Sequence, residues 1–309
     1  MARDFTVTAY VRLLDSLEGA GYTFQPLSDF IRSPGGKVVI LRHDVDRYPL
    51  NSLRTAQAEH GMGIGGTYFF RCKRGRFEEG IIRHINRLGH EIGYHYEDFS
   101  KLKVKSQKSG LFRIYDEAEL ASIAFQSFRE NLKKLRKIVP VSNICMHGSP
   151  TSRFDSRFLW KYYDYRELAV TAEPYFDICF EDVLYLTDTG RRWDGASVSV
   201  RDRNTGLTVR DRNYFKEWKV QPRDGSLMNM TPLAGEFQKR YSYRSTYEIV
   251  SALKSGEIPQ KIMITFHPQR WNDKILPWAE ELLFQNIKNP IKYFINLIIA
   301  NRALMTQKN

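Results

Sequence analysis

Lys37-Val38-Val39-Ile40-Leu41-Arg42-His43-Asp44-Val45-Asp46 decides how this chain is read, because a β-branched apolar run ends there abruptly in charge. A short apolar run that opens from a turn, here Ser33-Pro34-Gly35-Gly36, reads as a strand. Alternate side chains of a strand point to opposite faces, so Arg42, Asp44 and Asp46 project together while Val45 packs the other way. Gly89-His90-Glu91-Ile92-Gly93-Tyr94-His95-Tyr96-Glu97 repeats the arrangement, with Glu91, Gly93, His95 and Glu97 on one face. If the two strands are neighbours in a parallel sheet, Asp44, Asp46, His95 and Glu97 converge at its carboxyl edge, where α/β sheets and barrels keep their chemistry.

The rest of the chain supplies the alternation such a sheet needs. Thr8 to Ala20 reads as an amphipathic helix, and Tyr22 to Ile31 continues this preface, so the first expected strand is Lys37 to Leu41. Asn51 to Glu59 reads as a helix with Asn51 as its cap, Thr67 to Phe70 as a strand, and Phe77 to Leu88 as a helix. Further on come a long amphipathic helix, Asp116 to Lys137, terminated by Pro140, short strands at Asn143 to His147 and Lys261 to Phe266, and between them Val183 to Leu186, which leads into a turn-rich stretch. This order predicts an α/β fold with a parallel sheet and right-handed crossovers, either open or closed into a barrel. Thr187 to Gly195 is turn-rich and is expected to loop over the site. Ser199 to Asn204 is echoed by Thr208 to Asn213, as a hairpin or a local duplication. Pro277 to Asn286 and Pro290 to Leu304 read as two terminal helices.

At 309 residues one large core suffices, so a single domain over 1–309 is expected, with a core of about 38–271 and a helical tail over 272–309. The formal charge of +12 favours an anionic partner: an acidic glycan, a nucleotide-linked sugar or a phospholipid surface. Nucleic acid is not expected, because no helix-turn-helix, zinc-finger or aromatic stacking pattern is present. Cys72, Cys145 and Cys179 lack CxxC spacing, so they read as core thiols of a reducing compartment. With no secretory signal at the start, the expected location is the cytoplasm. No run reaches the roughly 18 apolar residues of a membrane span. Ile291 to Met305 comes nearest; a terminal helix packed on the body is favoured over peripheral contact with the inner membrane surface.

Four expected strands finish on ionisable residues: Asp44 and Asp46, His95, His147 and His267. Metal-assisted hydrolysis asks for carboxylate and imidazole ligands, a base for the attacking water and an acid for the leaving group. Asp46 and His95 as metal ligands, Asp44 as base and His267 as acid satisfy those demands.

These residues together resemble the polysaccharide deacetylase, or NodB-homology, family, in its divergent branch associated with O-antigen and other surface-glycan biosynthesis. The family ends its first strand with Thr-Phe-Asp-Asp-Gly, whose first aspartate is the base and whose second binds metal; Asp44 matches the base, and the metal role moves to Asp46. Gly89 to His95 is similar to Gly-His-Glu-Ile-Gly-Asn-His, whose last histidine is a metal ligand. Ile264-Thr265-Phe266-His267 resembles the Leu-x-His whose histidine is the catalytic acid. The family's second metal histidine, four positions after the first, is replaced by Phe99, so Glu97 or His147 is expected to supply the third ligand. The resemblance implies a distorted seven-stranded β/α barrel, a divalent metal with zinc the expected ion, and removal of an N- or O-acyl group from a sugar. The alternative is a catalytically altered scaffold that binds glycan or modifies a uronic-acid carboxyl group. Arg42, Arg71, Asp188 and Arg192 are candidate substrate contacts, guanidinium groups being suited to carboxylates and phosphates.

Overall fold

The computed structural model describes residues 3–102, 116–148, 155–193, 218–223, 233 and 235–305, and side chains as far as residue 290. Seven strands, β1 (Thr23–Gln25), β2 (Val38–Val45), β3 (Thr67–Phe70), β4 (Glu91–Tyr96), β5 (Asn143–Met146), β6 (Leu184–Thr187) and β7 (Lys261–Phe266), form one sheet. Its order is β5-β4-β3-β2-β7-β6, and every pairing is parallel. β1 lies beside the first half of β2 and β3 beside the second, on the same edge. The sheet curls into a half-barrel in which β5 and β6 are the two ends.

All eight residues of β2 are buried, as a central parallel strand requires. Its alternation divides the core. Val38 and Ile40 belong to a cluster that reaches Phe128 of the helix Glu117–Arg136, while Val39 and Leu41 pack with Leu13, Leu14 and Leu17 of α1 (Val7–Gly19). Arg42 and Asp44 continue the first face, and His43 continues the second. There His43 stacks on Tyr68, with ring centroids 4.0 Å apart, and its Nε2 lies 2.9 Å from Oε1 of the buried Glu59. The Tyr10 and Tyr68 hydroxyls donate to the same carboxylate.

Several elements differ from the sequence reading. The helical preface contains a strand: β1 precedes the β2 strand, and its three residues are too short to show a period. The helix expected to start at a cap on Asn51 spans Pro49–Gly61 instead, with Pro49 at its first turn and Tyr48 before it in the left-handed region at φ 49°. The two terminal helices are one, Ile275–Met305, with Pro290 inside it. Proline removes a single i to i−4 hydrogen bond there without ending the helix. Gly190 provides a positive-φ turn after β6, in the expected loop. The echoed segments Ser199 to Asn204 and Thr208 to Asn213 lie outside the described residues. Among the described residues no helix is long and apolar enough to cross a membrane; Cys72 and Cys145 are buried and Cys179 is half-buried.

Gly93 in β4 stands where Phe69 of β3 crosses. A Cβ at that position would come within 2.4 Å of the Phe69 ring and 3.1 Å of the Asn143 carbonyl oxygen. A glycine is therefore required two residues before His95, and Gly93→Ala is expected to destabilise the protein by about 1–3 kcal/mol. Urea unfolding should show a lower midpoint with an unchanged slope.

Candidate metal centre

The carboxyl end of every strand from β2 to β7 carries a polar residue into one mouth. Asp44 and Asp46 come from β2, Arg71 from β3, His95 and Glu97 from β4, His147 from β5, Asp188 from β6 and His267 from β7. Parallel register forces this convergence, because all the strands end on the same side.

Asp46 stands at the middle. Its Oδ1 is 3.2 Å from His147 Nε2, 3.6 Å from His95 Nε2 and 3.7 Å from an Arg71 guanidinium nitrogen; its Oδ2 is 3.9 Å from His267 Nε2. Burial opposes the charge of Asp46, but the surrounding imidazoles, His147 foremost, hold its carboxyl well below the usual carboxylate range. His95 points its Nδ1 at the Cys145 carbonyl oxygen, 2.9 Å away, so Nδ1 carries the proton and Nε2 presents its lone pair to the mouth. Burial brings the His95 pKa down to about 4, against the pull of Asp44 and Asp46, so the ring is neutral at neutral pH. That is the protonation state a metal ligand needs.

Asp46, His95 and His147 form a group whose ligand atoms all lie within 4.8 Å of one another. Two atoms bound tetrahedrally to zinc at 2.0–2.1 Å lie about 3.3–3.4 Å apart, and the 3.2 and 3.6 Å separations bracket that value. Asp46 Oδ1 is moreover buried without a hydrogen-bond partner, an orphaned acceptor that a cation would satisfy. A second group, Asp44, His95 and Cys145, also meets the distance condition, but its carboxylate is already balanced by Arg42, which donates to the two Asp44 oxygens at 2.9 and 2.7 Å, and neither oxygen is orphaned. The first group is therefore the one that fits a metal ion.

Glu97 stands outside the ligand group. Arg71 grips its carboxylate with two hydrogen bonds of 3.0 and 2.7 Å, Lys101 approaches to 2.7 Å, and its Oε2 is 3.4 Å from His147 Nδ1. It neighbours His147 without hydrogen-bonding to it, and of the two candidates for the third position His147 is the one grouped with Asp46 and His95.

The candidate substrate contacts also have other places. Arg42 is buried and committed to Asp44, which it keeps ionised against the opposing effect of burial. Asp188 is fully buried and cannot meet a substrate. It accepts from His267 Nδ1 at 2.6 Å, from the His267 backbone N–H at 2.9 Å, and from Trp271 Nε1 at 2.7 Å. Arg270 donates to it at 2.5 Å. Burial raises the Asp188 pKa, yet Arg270 and then His267 overcome this and bring it to about 2. An ionised carboxylate 2.6 Å from a ring nitrogen places the proton on Nδ1, which leaves His267 Nε2 facing Asp46 and the mouth. Arg71 borders the mouth, and Arg192 is half-buried after the β6 loop. Its neighbour Arg191, at φ 59°, turns inward to donate to the Trp278 carbonyl oxygen.

Two residues of the site were missed from sequence. Arg270 was readable in principle, three positions after His267. Glu173 carried no local signal; it accepts from the Met146 backbone N–H at 3.0 Å and the Tyr96 hydroxyl at 3.1 Å, clamping the ends of β5 and β4 just before His147 and Glu97. Burial pushes its pKa up to about 7. No protein-family model, curated protein or solved structure matches this chain.

The low pKa of Asp188 has a consequence for stability. Its pairing contributes fully above an unfolded-state value of about 3.9 and is lost as the pH falls toward 2. Asp188→Asn should therefore lower the thermal midpoint at pH 7 by more than at pH 2, in paired melts of the two proteins.

Proposed function

We propose that this chain is a metal-dependent hydrolase that removes an N- or O-acyl group from a sugar, in the manner of the polysaccharide deacetylases its motifs resemble. The observation that carries this reading is the orphaned Asp46 Oδ1 held at zinc-ligand separations from two histidines, with Asp44 on one side and His267 on the other. The half-barrel with its polar mouth at the carboxyl edge is compatible with a β/α barrel of that family. Surface-polysaccharide biosynthesis, O-antigen included, is the setting we assign.

Asp46, His95 and His147 would hold the ion, for which zinc suits the two imidazoles and one carboxylate. When bound, a divalent cation supplies Lewis acidity to the acyl carbonyl and the attacking water. Asp44, ionised and fixed by the Arg42 fork, takes the proton that water gives up on adding to the carbonyl carbon. His267 acts in its doubly protonated form, stabilised by Asp188: as the acyl bond breaks it gives the Nε2 proton to the departing nitrogen or oxygen and keeps the Nδ1 proton, and exchange with solvent then returns a proton to Nε2 and takes one from Asp44. Glu97, held by Arg71, places its negative charge 3.4 Å from His147 Nδ1.

Protein purified without chelator is expected to carry one divalent ion per chain, by elemental analysis. Asp46→Asn should weaken metal binding beyond the about 10–100-fold typical of losing an outer partner. Asp44→Asn should retain the metal and reduce acetate release from an acetylated oligosaccharide about 100- to 10,000-fold. Metal affinity should also fall as the pH is lowered: burial depresses the His147 pKa, but Asp46 and Glu97 overcome this and raise it, so its proton must be displaced on binding. Full occupancy of metal in Asp46→Asn would count decisively against the assignment.

A further inference from the structure

Beside the metal centre, a cleft of about 520 Å³ opens at the carboxyl ends of β2 and β3. Val45 and Phe70 give it an apolar wall, while Arg71, Lys73, Arg74 and Arg76 supply its cations. The last three sit on a two-residue hairpin. Lys73 and Arg76 exchange backbone hydrogen bonds of 2.9 and 3.0 Å, and both central residues are left-handed, Arg74 at φ 49° and Gly75 at φ 76°. An arginine at the first central position of such a turn is unusual, since Asn, Asp or Gly adopts that conformation with less strain.

The charges of the cleft are unbalanced. Arg71 is already engaged by Glu97 and lies 3.7 Å from Asp46, so it joins the cleft to the metal centre. Lys73, Arg74 and Arg76 form no side-chain ion pair among the described residues, and Glu78 is the one carboxylate in the lining. Asp46 and Glu97 are close enough to act on the Lys73 ammonium, which burial and Arg71 depress. Within the lining itself these three cations face one carboxylate, a surplus of two charges. A sugar carboxylate would neutralise half of that surplus. A diphosphate diester carries two negative charges, and its oxygens match guanidinium forks.

We propose that the Lys73–Arg76 hairpin, with Arg71, is a subsite for the diphosphate of an activated sugar, placing that sugar's acyl group over Asp46. This deepens the hydrolase reading and rests on it for the role of the bound sugar. The diphosphate binds whether or not the metal is present. Its source is either a soluble nucleoside diphosphate or a lipid carrier, which share this chemistry.

Isothermal titration of the chelator-treated full chain tests it, with inorganic pyrophosphate as the primary probe and glucuronate as the carboxylate competitor. Pyrophosphate should bind more tightly than glucuronate, with affinity that falls as salt rises. The double variant Lys73→Gln/Arg76→Gln leaves Arg74 and Gly75 in the turn and should weaken pyrophosphate at least about tenfold. An unchanged unfolding midpoint shows that this variant is folded. Titration with UDP-glucose, and with phosphatidylcholine vesicles carrying a polyprenyl diphosphate, identifies the source by whichever binds more tightly. Pyrophosphate binding that ignores the double substitution, or is no tighter than glucuronate, overturns the subsite. Because the titrated chain is already free of metal, Asp46→Asn should bind pyrophosphate no more weakly than the parent, and weaker binding by this variant also overturns the subsite; failure of the hydrolase reading is seen separately, in the metal content and acetate release of the untreated protein.

Discussion

One carboxylate governs the mouth of this sheet. Asp46 lies with three imidazoles and a guanidinium turned toward it, and burying such a charge without compensation would cost several kcal/mol. Compensation comes from four different strands, so it exists only if β3, β4, β5 and β7 all end at the same height. The parallel register provides that, with Asp44 opposite Phe69, Phe69 opposite Gly93, and His95 opposite Cys145. A slip of one residue in β4 would turn His95 away and leave Asp46 short of a partner.

The partners are themselves held by a ring of opposite charges outside them. Arg42 fixes Asp44, Asp188 and Arg270 fix His267, Glu97 and Arg71 flank His147, and the Cys145 carbonyl oxygen fixes His95. For His95 and His267 this fixes a proton on Nδ1 and turns Nε2 to the mouth before any substrate arrives. A second buried polar network, centred on Glu59 with His43, Tyr10 and Tyr68, lies on the opposite face of β2. Strand alternation keeps the two networks apart, so His43 contributes to the packing of α1 and the helix Pro49–Gly61 against the sheet, while its neighbours Arg42 and Asp44 serve the mouth.

The apolar strand followed by charge was legible in the residues because its signal is local: parity assigns Asp44 and Asp46 to one face, and turn residues bound each strand. The convergence of Asp46, His95, His147 and His267 was legible for the same reason, each standing at the end of an expected strand. β1 was not, three residues being too few for a pattern. The continuous last helix was not either, because proline reads equally well as the first residue of a new helix as it does inside a continuing one. Among site residues, Glu97, Asp188 and Arg42 carried the right chemistry for a ligand or substrate contact, and sequence offered no means of seeing that other side chains already held them.

Sequence alone thus determined the parallel α/β class and which residues reach the carboxyl edge, since period and strand ends are properties of neighbouring residues. Tertiary structure alone decided which of those residues face each other: His147 rather than Glu97 beside Asp46, Asp188 behind His267, and Glu173 beneath β5. These choices depend on distances between chain segments far apart in sequence, set by the curl and register of the sheet, and no local pattern encodes them.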